Sequence, residues 1–338
     1  MQPVPQPDGA VLQVRNLRTL FPVPRGVVGT LLSKPQRHVH AVDGVSFSME
    51  RAEILGLVGE SGSGKTTTAL NILGLAEPTE GQILFNGRSV PLLARGRTRL
   101  ALRRQMQIIF QDPYESLNPR QTVLATVAEP IEVHGLAPAR DKKLEMVTRA
   151  LDAAGLKPPE AYFGRYPDEL SGGQRQRVVI AAALVLEPDL LVADEPVSML
   201  DVSLRAEILN LLLQIRDQQG ITILYITHDL ATAAYFTDRV AVMYLGRIVE
   251  IGPTAAVLSD PRHPYTRALL SVIPVPNPRR RRERTILAGE TPNPIDPPAG
   301  CRFRPRCPVA FDRCSEQDPE LRSVGAGHEM ACLLDEHT

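Results

Sequence analysis

The sequence predicts an α/β fold in which a parallel β-sheet is covered by helices. Three apolar segments have strand character, Gln107 to Phe110, Leu190 to Ala193 and Thr222 to Ile226, and helix-like segments separate them. Strands buried on both faces are continuously apolar, and alternation with helices is typical of a parallel sheet. At 338 residues the chain is long enough to bury a sizeable core, and we expect one main body with a small appendage.

The N-terminal part contributes further strands. Val11 to Val14, Ala41 to Phe47 and Ile54 to Val58 are β-like apolar stretches. A segment rich in proline and glycine, Phe21 to Pro35, separates the first two. We expect this segment to form a surface loop, because such residues interrupt strands and favour turns.

Two later regions differ from this core. From about Asn118 to Leu170 the pattern is helical, as in Lys142 to Ala154, which predicts an inserted helical subdomain. After Ile251 the composition changes, and ten of the chain's 30 prolines lie between Ile273 and Glu320. That density excludes long helices and central strands. All four cysteines also lie in this last part, which predicts a separate C-terminal module.

Charge and hydropathy exclude several classes of protein. The 38 basic and 38 acidic residues give a net charge of zero, so no global field attracts nucleic acid or anionic lipid. Met1 to Pro7 has neither the basic start nor the apolar stretch of a secretory signal. The longest apolar run, Val178 to Leu186, is shorter than the roughly 20 residues that span a bilayer. We expect a cytoplasmic chain, with the basic run Arg279 to Arg284 solvated rather than bound to nucleic acid or lipid.

A phosphate-binding loop is predicted between the strand Ile54 to Val58 and the helix that follows it. Gly59 to Thr66 reads Gly-Glu-Ser-Gly-Ser-Gly-Lys-Thr and matches the pattern G-x-x-x-x-G-K-[ST]. Glycines let the backbone N–H groups turn towards phosphate oxygens, and the helix N-terminus adds a favourable dipole. In this pattern Lys65 neutralises the β- and γ-phosphates and Thr66 ligates Mg²⁺. A chance glycine-rich turn would not require both the strand and the helix.

Two acids end a second apolar strand, Leu190 to Ala193. In a parallel sheet the carboxyl ends of the strands face the ligand crevice, so Asp194 can hold Mg²⁺ and Glu195 can activate a water. A solvated acidic strand end would explain the pair equally well by itself. The phosphate loop favours the catalytic interpretation.

A third motif narrows the class of nucleotide-binding protein to which the chain can belong. Leu170 to Arg177 reads Leu-Ser-Gly-Gly-Gln-Arg-Gln-Arg, and a Ser-Gly-Gly turn at a helix start offers a second anion site. Helix capping by Ser171 alone would leave Gly172, Gly173 and Gln174 unexplained. The segment resembles the signature motif of ATP-binding-cassette (ABC) ATPases. The resemblance implies that it grips the γ-phosphate of ATP bound to the opposite subunit of a head-to-tail pair.

Three more positions resemble the family pattern in order and spacing. Gln111 resembles the Q-loop glutamine, which touches Mg²⁺ and water and couples to the permease. Ser198 to Asp201 resembles the D-loop, although Met199 stands where alanine is more usual, and His228 resembles the switch histidine.

The resemblance implies a full set of site residues and a fold. The residues implied for ATP binding are Gly59, Glu60, Ser61, Gly62, Ser63, Gly64, Lys65, Thr66, Thr67, Gln111, Ser171, Gly172, Gly173, Gln174, Asp201 and His228. The catalytic residues implied are Glu195, His228 and Lys65, and those implied for Mg²⁺ are Thr66, Gln111 and Asp194. The fold implied is a P-loop NTPase (RecA-like) parallel-sheet core over residues 11–255, with an N-terminal antiparallel β subdomain and a helical subdomain at about 118–170.

The adenine contact is not assigned. Family members usually stack the base on an aromatic residue before the second strand, and Gln36 to His40 contains no Phe, Tyr or Trp. His38, His40 or the distant Phe21 are the candidates that remain.

The C-terminal segment resembles one branch of the family. His263 to Leu270 and Gly300 to Pro308 are similar to the C-terminal extension of dipeptide and oligopeptide importers, which implies a domain over 256–338. Gln174 and the stretch Asp112 to Pro119 favour the F-type over the D-type ATPase of such importers.

The cysteines are spaced C-x5-C-x6-C-x17-C, which does not by itself name a metal. In a reducing cytoplasm metal or cluster binding is favoured over disulfides. The resemblance implies a [4Fe–4S] cluster on Cys301, Cys307, Cys314 and Cys332; zinc and unligated or oxidised cysteines are the alternatives.

The implied function is ATP hydrolysis that drives peptide uptake from the cytoplasmic face of the cell membrane. The implied partners are a second, D-type ATPase subunit in a heterodimer, two transmembrane permeases and an extracytoplasmic solute-binding protein, without nucleic acid. An importer of nickel, glutathione or oligosaccharide, and a soluble ABC ATPase without a transport role, are the alternatives.

Overall fold

The computed structural model describes residues 9–24, 36–90, 97–137, 139–273, 285, 287, 289–325 and 327–334. Most of the loop predicted at Phe21 to Pro35, the N-terminal Met1 to Pro7 and the basic run Arg279 to Arg284 lie outside these residues. By its internal contacts the chain forms two compact units. The first unit consists of residues 1–11, 49–54 and 91–226, and the second of 12–48, 55–90 and 227–338.

The strands of the described residues are β1 Leu12–Pro22, β2 His38–Met49, β3 Ile54–Val58, β4 Glu80–Phe85, β5 Arg88–Ser89, β6 Met106–Ile109, β7 Leu190–Asp194, β8 Thr222–Thr227, β9 Arg239–Tyr244, β10 Arg247–Pro253, β11 Arg322–Gly325 and β12 His328–Met330. The α-helices are α1 Lys65–Ile72, α2 Arg97–Gln105, α3 Pro113–Ser116, α4 Val123–Val133, α5 Arg140–Ala153, α6 Gly172–Leu184, α7 Val202–Gln219, α8 Leu230–Phe236, α9 Thr254–Ser259, α10 Pro264–Ser271 and α11 Arg313–Glu316. Short 3-10 turns occur at Pro159–Ala161, Pro167–Glu169 and Arg304–Arg306.

The first unit is built on three parallel strands, β6, β7 and β8. Ile109 pairs with Ala193 in β7, and Ala193 pairs with Tyr225 in β8. Every residue of β7 and of β8 is buried, as expected of parallel strands covered on both faces. Because the three strands run in the same direction, their carboxyl ends lie at one edge of the sheet.

Helices fill the rest of the first unit. Between residues 118 and 170 the described residues contain helices and 3-10 turns and no strand. Helix α5 corresponds to the predicted helix Lys142 to Ala154, and it buries Val147, Ala150 and Leu151, which share one helical face. Helices α4, α5 and α6 pack against one another. Helix α7 ends at Gly220, which adopts the left-handed conformation common at helix C-termini.

The second unit contains an antiparallel sheet with the strand order β2-β1-β4-β5. Leu12 pairs with Phe85 and Val14 with Ile83, and both pairs place buried side chains opposite each other. The antiparallel N-terminal sheet that the resemblance implied is therefore present.

A mixed arrangement of strands completes the second unit. Strand β3 is fully buried and pairs in parallel with β9, and β9 pairs antiparallel with β10 on its other side. Strand β12 pairs antiparallel with β10 and with β11. Sequence patterning did not predict β11 and β12, because segments of four and three residues with polar side chains carry no detectable period.

The predicted α/β fold class is confirmed. The six segments predicted as strands all lie wholly or largely within observed strands. Between residues 285 and 320, the described part of the proline-rich region contains one 3-10 turn and the four-residue helix α11, in keeping with the proline density. No helix among the described residues has the length and apolar character needed to span a bilayer.

Candidate functional site

The loop from Gly59 to Gly64 joins β3 to α1 in the second unit. Two of its glycines, Gly59 and Gly64, are required by close backbone contacts: a Cβ on Gly59 would lie 2.1 Å from the carbonyl oxygen of Met243, and one on Gly64 would lie 2.1 Å from that of Ala41. Gly64 is also the N-cap of α1 and has a φ of 104°, which side chains other than glycine rarely adopt. The loop is therefore a tight turn that leads directly into the start of a helix.

Lys65, the first residue of α1, is buried and holds the loop from within. Its Nζ donates hydrogen bonds to the carbonyl oxygens of Gly59 and Glu60, both at 2.8 Å. Ser63 is 2% exposed, and its hydroxyl has no hydrogen-bond partner among the described residues. Thr66 is exposed and Thr67 is half-buried at the start of the helix. The loop thus presents amides, a cation and hydroxyls, which are the groups that bind phosphate oxygens.

In the first unit, the ends of β6 and β7 bring two predicted site residues together. The Nε2 atom of Gln111 donates to Oε2 of Glu195 at 3.1 Å. Asp194, the last residue of β7, is 7% exposed. Glu195 has a φ of 48°, in the left-handed region, and its N–H donates to the carbonyl oxygen of Ile226 at 2.9 Å. Strained backbone of this kind is concentrated at functional sites in proteins.

Ser171 caps helix α6. Its hydroxyl accepts from the N–H of Gln174 at 3.3 Å, and the Gln174 side chain accepts from the N–H of Ser171 at 3.0 Å. This reciprocal capping box explains both residues structurally. Gly173 is buried, and a Cβ there would lie 3.1 Å from Leu204 of α7, whereas Gly172 is half-buried with room around it.

Asp201 is also a helix cap. Its Oδ1 accepts from the N–H of Leu204 at 3.0 Å and from the hydroxyl of Ser203 at 2.6 Å, at the start of α7. The hydrogen bonds from Leu204 and then Ser203 lower the pKa of the Asp201 carboxyl. In the second unit, His228 directly follows β8 and is exposed.

Glu60, inside the phosphate-binding loop, is held by three residues of the C-terminal part of the second unit. Its Oε2 accepts from Nη1 of Arg306 at 2.8 Å and from the hydroxyl of Thr291 at 2.7 Å. Its N–H donates to the hydroxyl of Tyr265 at 3.1 Å. Burial acts to raise the pKa of Glu60, but the hydrogen bonds from Arg306 and Thr291, together with the charges of Arg306 and Lys65, outweigh it, and the pKa lies below its usual value.

A buried ion pair ties the same C-terminal part to strand β2. Arg302 contacts the Asp43 carboxylate through Nη2 and donates from Nη1 to the carbonyl oxygen of Leu245 at 2.6 Å. Arg18 also donates to Asp43, at 2.7 Å. Burial acts to raise the pKa of Asp43, yet the charge of Arg302 and the hydrogen bonds it and Arg18 donate lower that pKa to about 2.

The four cysteines line one cavity, together with Phe303 and Leu333; we call it the cysteine cavity. All four are free thiols, and the N–H of Cys301 donates to the carbonyl oxygen of Cys314 at 2.9 Å. Burial, with smaller effects of Cys314 and Cys332, raises the pKa of Cys301 to about 11. Among the described residues, no three His, Cys, Asp or Glu side chains are grouped as ligands of a metal ion.

Family models match two parts of this chain. A family model described as ABC transporter matches residues 42–198, and one described as the C-terminal region of oligopeptide/dipeptide transporters matches residues 249–314. A putative peptide import ATP-binding protein of Brucella ovis is 51% identical over 294 residues, covering 87% of this chain and 92% of that protein. The oligopeptide transport ATP-binding protein AppF of Bacillus subtilis is 45% identical over 326 residues, covering 96% and 97%.

The chain belongs to the ABC transporter family.

Solved structures agree with this assignment. CbiO1 from Clostridium perfringens, part of an ABC transporter complex, has a TM-score of 0.62 and 30% identity and covers 75% of this chain and 92% of that one. A dimeric ATP-binding cassette, MJ0796, with bound ADP and Pi has a TM-score of 0.61 and 26% identity, covering 72% and 98%. The family predicted from the loop, the signature segment and the C-terminal segment is therefore confirmed.

The contacts to Glu60 in this ABC transporter chain join residues that are remote in sequence, and they were not predicted. Arg306 lies 246 residues and Tyr265 lies 205 residues from Glu60 along the chain. Both residues lie in the segments that resemble the importer branch. That resemblance was the only feature of the sequence that could have pointed to them. The adenine contact stays unassigned: His40 contacts Asp43 through Nδ1 at 3.2 Å, and Phe21 is 43% exposed.

Proposed function

We propose that this chain is the ATP-binding and ATP-hydrolysing subunit of an importer that takes up peptides through partner permeases. The observation that carries the proposal is the 51% identity to a putative peptide import ATP-binding protein over 92% of its length. The match of residues 249–314 to the C-terminal region of oligopeptide/dipeptide transporters favours peptides over other cargo. We extend the family's domain division to this chain as a cassette over 11–255, with its helical subdomain at about 118–170, and a C-terminal domain over 256–338.

The phosphate-binding loop is proposed to hold the β- and γ-phosphates of ATP. Three features of the loop fit a triphosphate: the glycine turn, the buried Lys65 and the hydroxyl of Ser63, which has no hydrogen-bond partner among the described residues. Thr66, Gln111 and Asp194 are proposed to hold Mg²⁺, and their oxygen donors suit this cation. When bound, Mg²⁺ neutralises charge on the phosphate oxygens.

Hydrolysis is assigned to Glu195 with His228 and Lys65. Glu195 orients or deprotonates the attacking water, and the hydrogen bond from Gln111 supports the orientation of its carboxylate. Lys65 and His228 stabilise charge on the γ-phosphate. Ser171, Gly172, Gly173 and Gln174 bind the γ-phosphate held by the partner ATPase, which we propose to be a D-type subunit beside this F-type chain, and Asp201 contributes through the D-loop.

Replacing Glu195 tests the assignment of hydrolysis. Glu195→Gln should keep Mg·ATP binding within a few-fold and slow turnover by on the order of 10²-fold or more, as loss of a general base does. Glu187→Gln is a matched control, since Glu187 is exposed and also has a positive φ, of 51°. Turnover near that of the unchanged chain in Glu195→Gln would contradict the assignment.

Isolation from membranes tests the importer. The tagged chain should co-purify with two permeases and a second ATPase at the cytoplasmic face of the membrane, and reconstituted complexes should hydrolyse ATP faster when a peptide-loaded solute-binding protein is added. If nickel complexes, glutathione or oligosaccharides raised the rate of ATP hydrolysis instead, that solute rather than a peptide would be the cargo. Co-purification with DNA or ribosomes and no permease would favour a soluble ABC ATPase and overturn the importer.

The cysteine cavity is proposed to hold a [4Fe–4S] cluster. Four thiols around one cavity are the donor set that such a cluster uses. The ligands would be Cys301, Cys307, Cys314 and Cys332. When bound, the cluster would transfer electrons or stabilise the fold of this segment. A brown protein with iron and acid-labile sulfide after anaerobic purification supports the cluster. A colourless protein, with one zinc or with no metal, refutes it.

A further inference from the structure

The C-terminal part of the chain reaches directly into the phosphate-binding loop. Arg306 precedes Cys307, is 10% exposed at its side chain, and places Nη1 at 2.8 Å from Oε2 of Glu60. Its guanidinium also lies 5.9 Å from the ring centroid of Tyr244. Arg306 therefore has a defined position at the loop.

Thr291 and Tyr265 complete the contact. The Thr291 hydroxyl donates to Oε2 of Glu60 at 2.7 Å, and Nη1 of Arg306 donates to the same hydroxyl at 3.2 Å. Tyr265, which is fully buried, accepts the N–H of Glu60. Both the backbone and the carboxylate of Glu60 are thus bound by residues far along the chain.

Glu60 places a negative charge in the loop that is proposed to bind the phosphates of ATP. Its carboxylate is close enough to Lys65 for the lysine charge to act on it. A carboxylate beside bound phosphates would repel them, and at partly buried positions one unit charge has a large effect on an anion. Arg306 supplies the opposite charge at hydrogen-bond distance.

We propose that Arg306 is a positioning residue for nucleotide binding, which neutralises and orients Glu60 so that the affinity of the loop for ATP depends on the C-terminal part of the chain. The inference rests on the proposed binding of ATP phosphates by residues 59–66. Arg306, which lies in the cysteine-bearing segment, would then be one of the residues that set the affinity for ATP.

A double-mutant cycle on the full chain, purified under anaerobic conditions, tests the proposal. The dissociation constant of Mg·ATP is measured by competition with a fluorescent ATP analogue for Arg306→Gln, Glu60→Gln and the double variant. Arg306→Gln should weaken binding about tenfold or more, as expected when one carboxylate next to an anion loses its counter-charge. In the double variant, Glu60→Gln removes the carboxylate that Arg306 compensates, so it should restore most of the affinity that Arg306→Gln alone loses.

The controls separate the possible failures. Arg304→Gln, two residues away and exposed, should leave affinity unchanged. Arg306→Lys, which keeps the charge, should retain most of the affinity even if Arg306→Gln folds poorly. Equal affinity in Arg306→Gln and the unchanged chain, or a double variant as weak as Arg306→Gln, would overturn the proposal. If the unchanged chain binds no ATP, or Lys65→Ala binds it equally well, the proposed function fails instead.

Discussion

Gln111 and Glu195 are joined by a hydrogen bond of 3.1 Å from Nε2 to Oε2, although 84 residues separate them. Gln111 follows β6 with one residue between, and Glu195 directly follows β7. Because β6 and β7 are paired parallel strands, their carboxyl ends lie at the same edge of the sheet. The topology thus explains why two residues remote in sequence meet.

Loss of the Gln111 side chain should slow ATP hydrolysis. A hydrogen bond to a charged group contributes about 1.5 to 3 kcal/mol, which corresponds to on the order of 10- to 100-fold in rate if the bond orients the reacting carboxylate. We expect Gln111→Ala to lower kcat by this factor, and Gln82→Ala, at an exposed position of β4, to have no effect. Steady-state ATPase assays measure both, and an unchanged kcat in Gln111→Ala would contradict the orienting role.

Two substitutions at Ser171 should separate helix capping from phosphate binding. Ser171→Ala removes the cap of α6 and should cost about 1 kcal/mol of unfolding free energy. Ser171→Asp keeps a cap of similar strength, but its negative charge should lower ATPase activity about tenfold or more through repulsion of the γ-phosphate.

Thr122→Asp, at the cap of α4, is the matched control for the added charge. Urea unfolding and ATPase assays provide the two readings. An active Ser171→Asp variant would show that Ser171 serves only as a cap.

The Asp43–Arg302 ion pair should be important for stability. Breaking a buried pair costs about 3 to 5 kcal/mol when it leaves a charge uncompensated, and because Arg18 still donates to Asp43 after the loss of Arg302, the cost here should lie near the lower end of that range. We expect Arg302→Met to lose unfolding free energy on this scale, while Arg304→Met, at an exposed position, changes it little. Chemical denaturation at neutral pH measures the difference, and equal stability of the two variants would contradict it.

The same pair predicts a pH dependence. The folded pKa of Asp43 is about 2, against an ordinary value of 3.8, so between these values the unfolded chain binds more protons. Stability from this group is therefore present above the ordinary pKa and is lost as the pH falls towards the folded pKa. Asp43→Asn should flatten the decline of unfolding free energy with pH in this window, and an unchanged slope would count against the assignment.

Two glycines of the phosphate-binding loop should respond differently to alanine. A Cβ at Gly64 would lie 2.1 Å from a carbonyl oxygen, and its φ is 104°. At Gly62 the φ is 77° but nothing lies within 4 Å of the added Cβ. We expect Gly62→Ala to cost roughly 1 to 2 kcal/mol from the backbone conformation alone. Gly64→Ala should destabilise the chain considerably more, as thermal unfolding of both variants would reveal.

Features with a local signal could be recognised from the sequence. The glycines and Lys65 of the loop lie within one turn, and Ser171 and Gln174 lie three residues apart, so both motifs can be recognised from spacing. Strands β3, β7 and β8 were recognised because burial on both faces makes them continuously apolar. Strands β11 and β12 were missed because short antiparallel additions at a sheet edge lack that signal.

By itself, the sequence determined the α/β class and the family, and it predicted which residues bind phosphate, because strand burial, tight turns and helix caps each require particular residue types at short spacing. Only the tertiary structure decided that Gln111 meets Glu195, that Arg302 pairs with Asp43 and that Arg306 binds Glu60. Contacts of this kind depend on which distant segments the fold brings side by side. A single sequence does not record that pairing, because each partner alone is compatible with an ordinary solvated side chain.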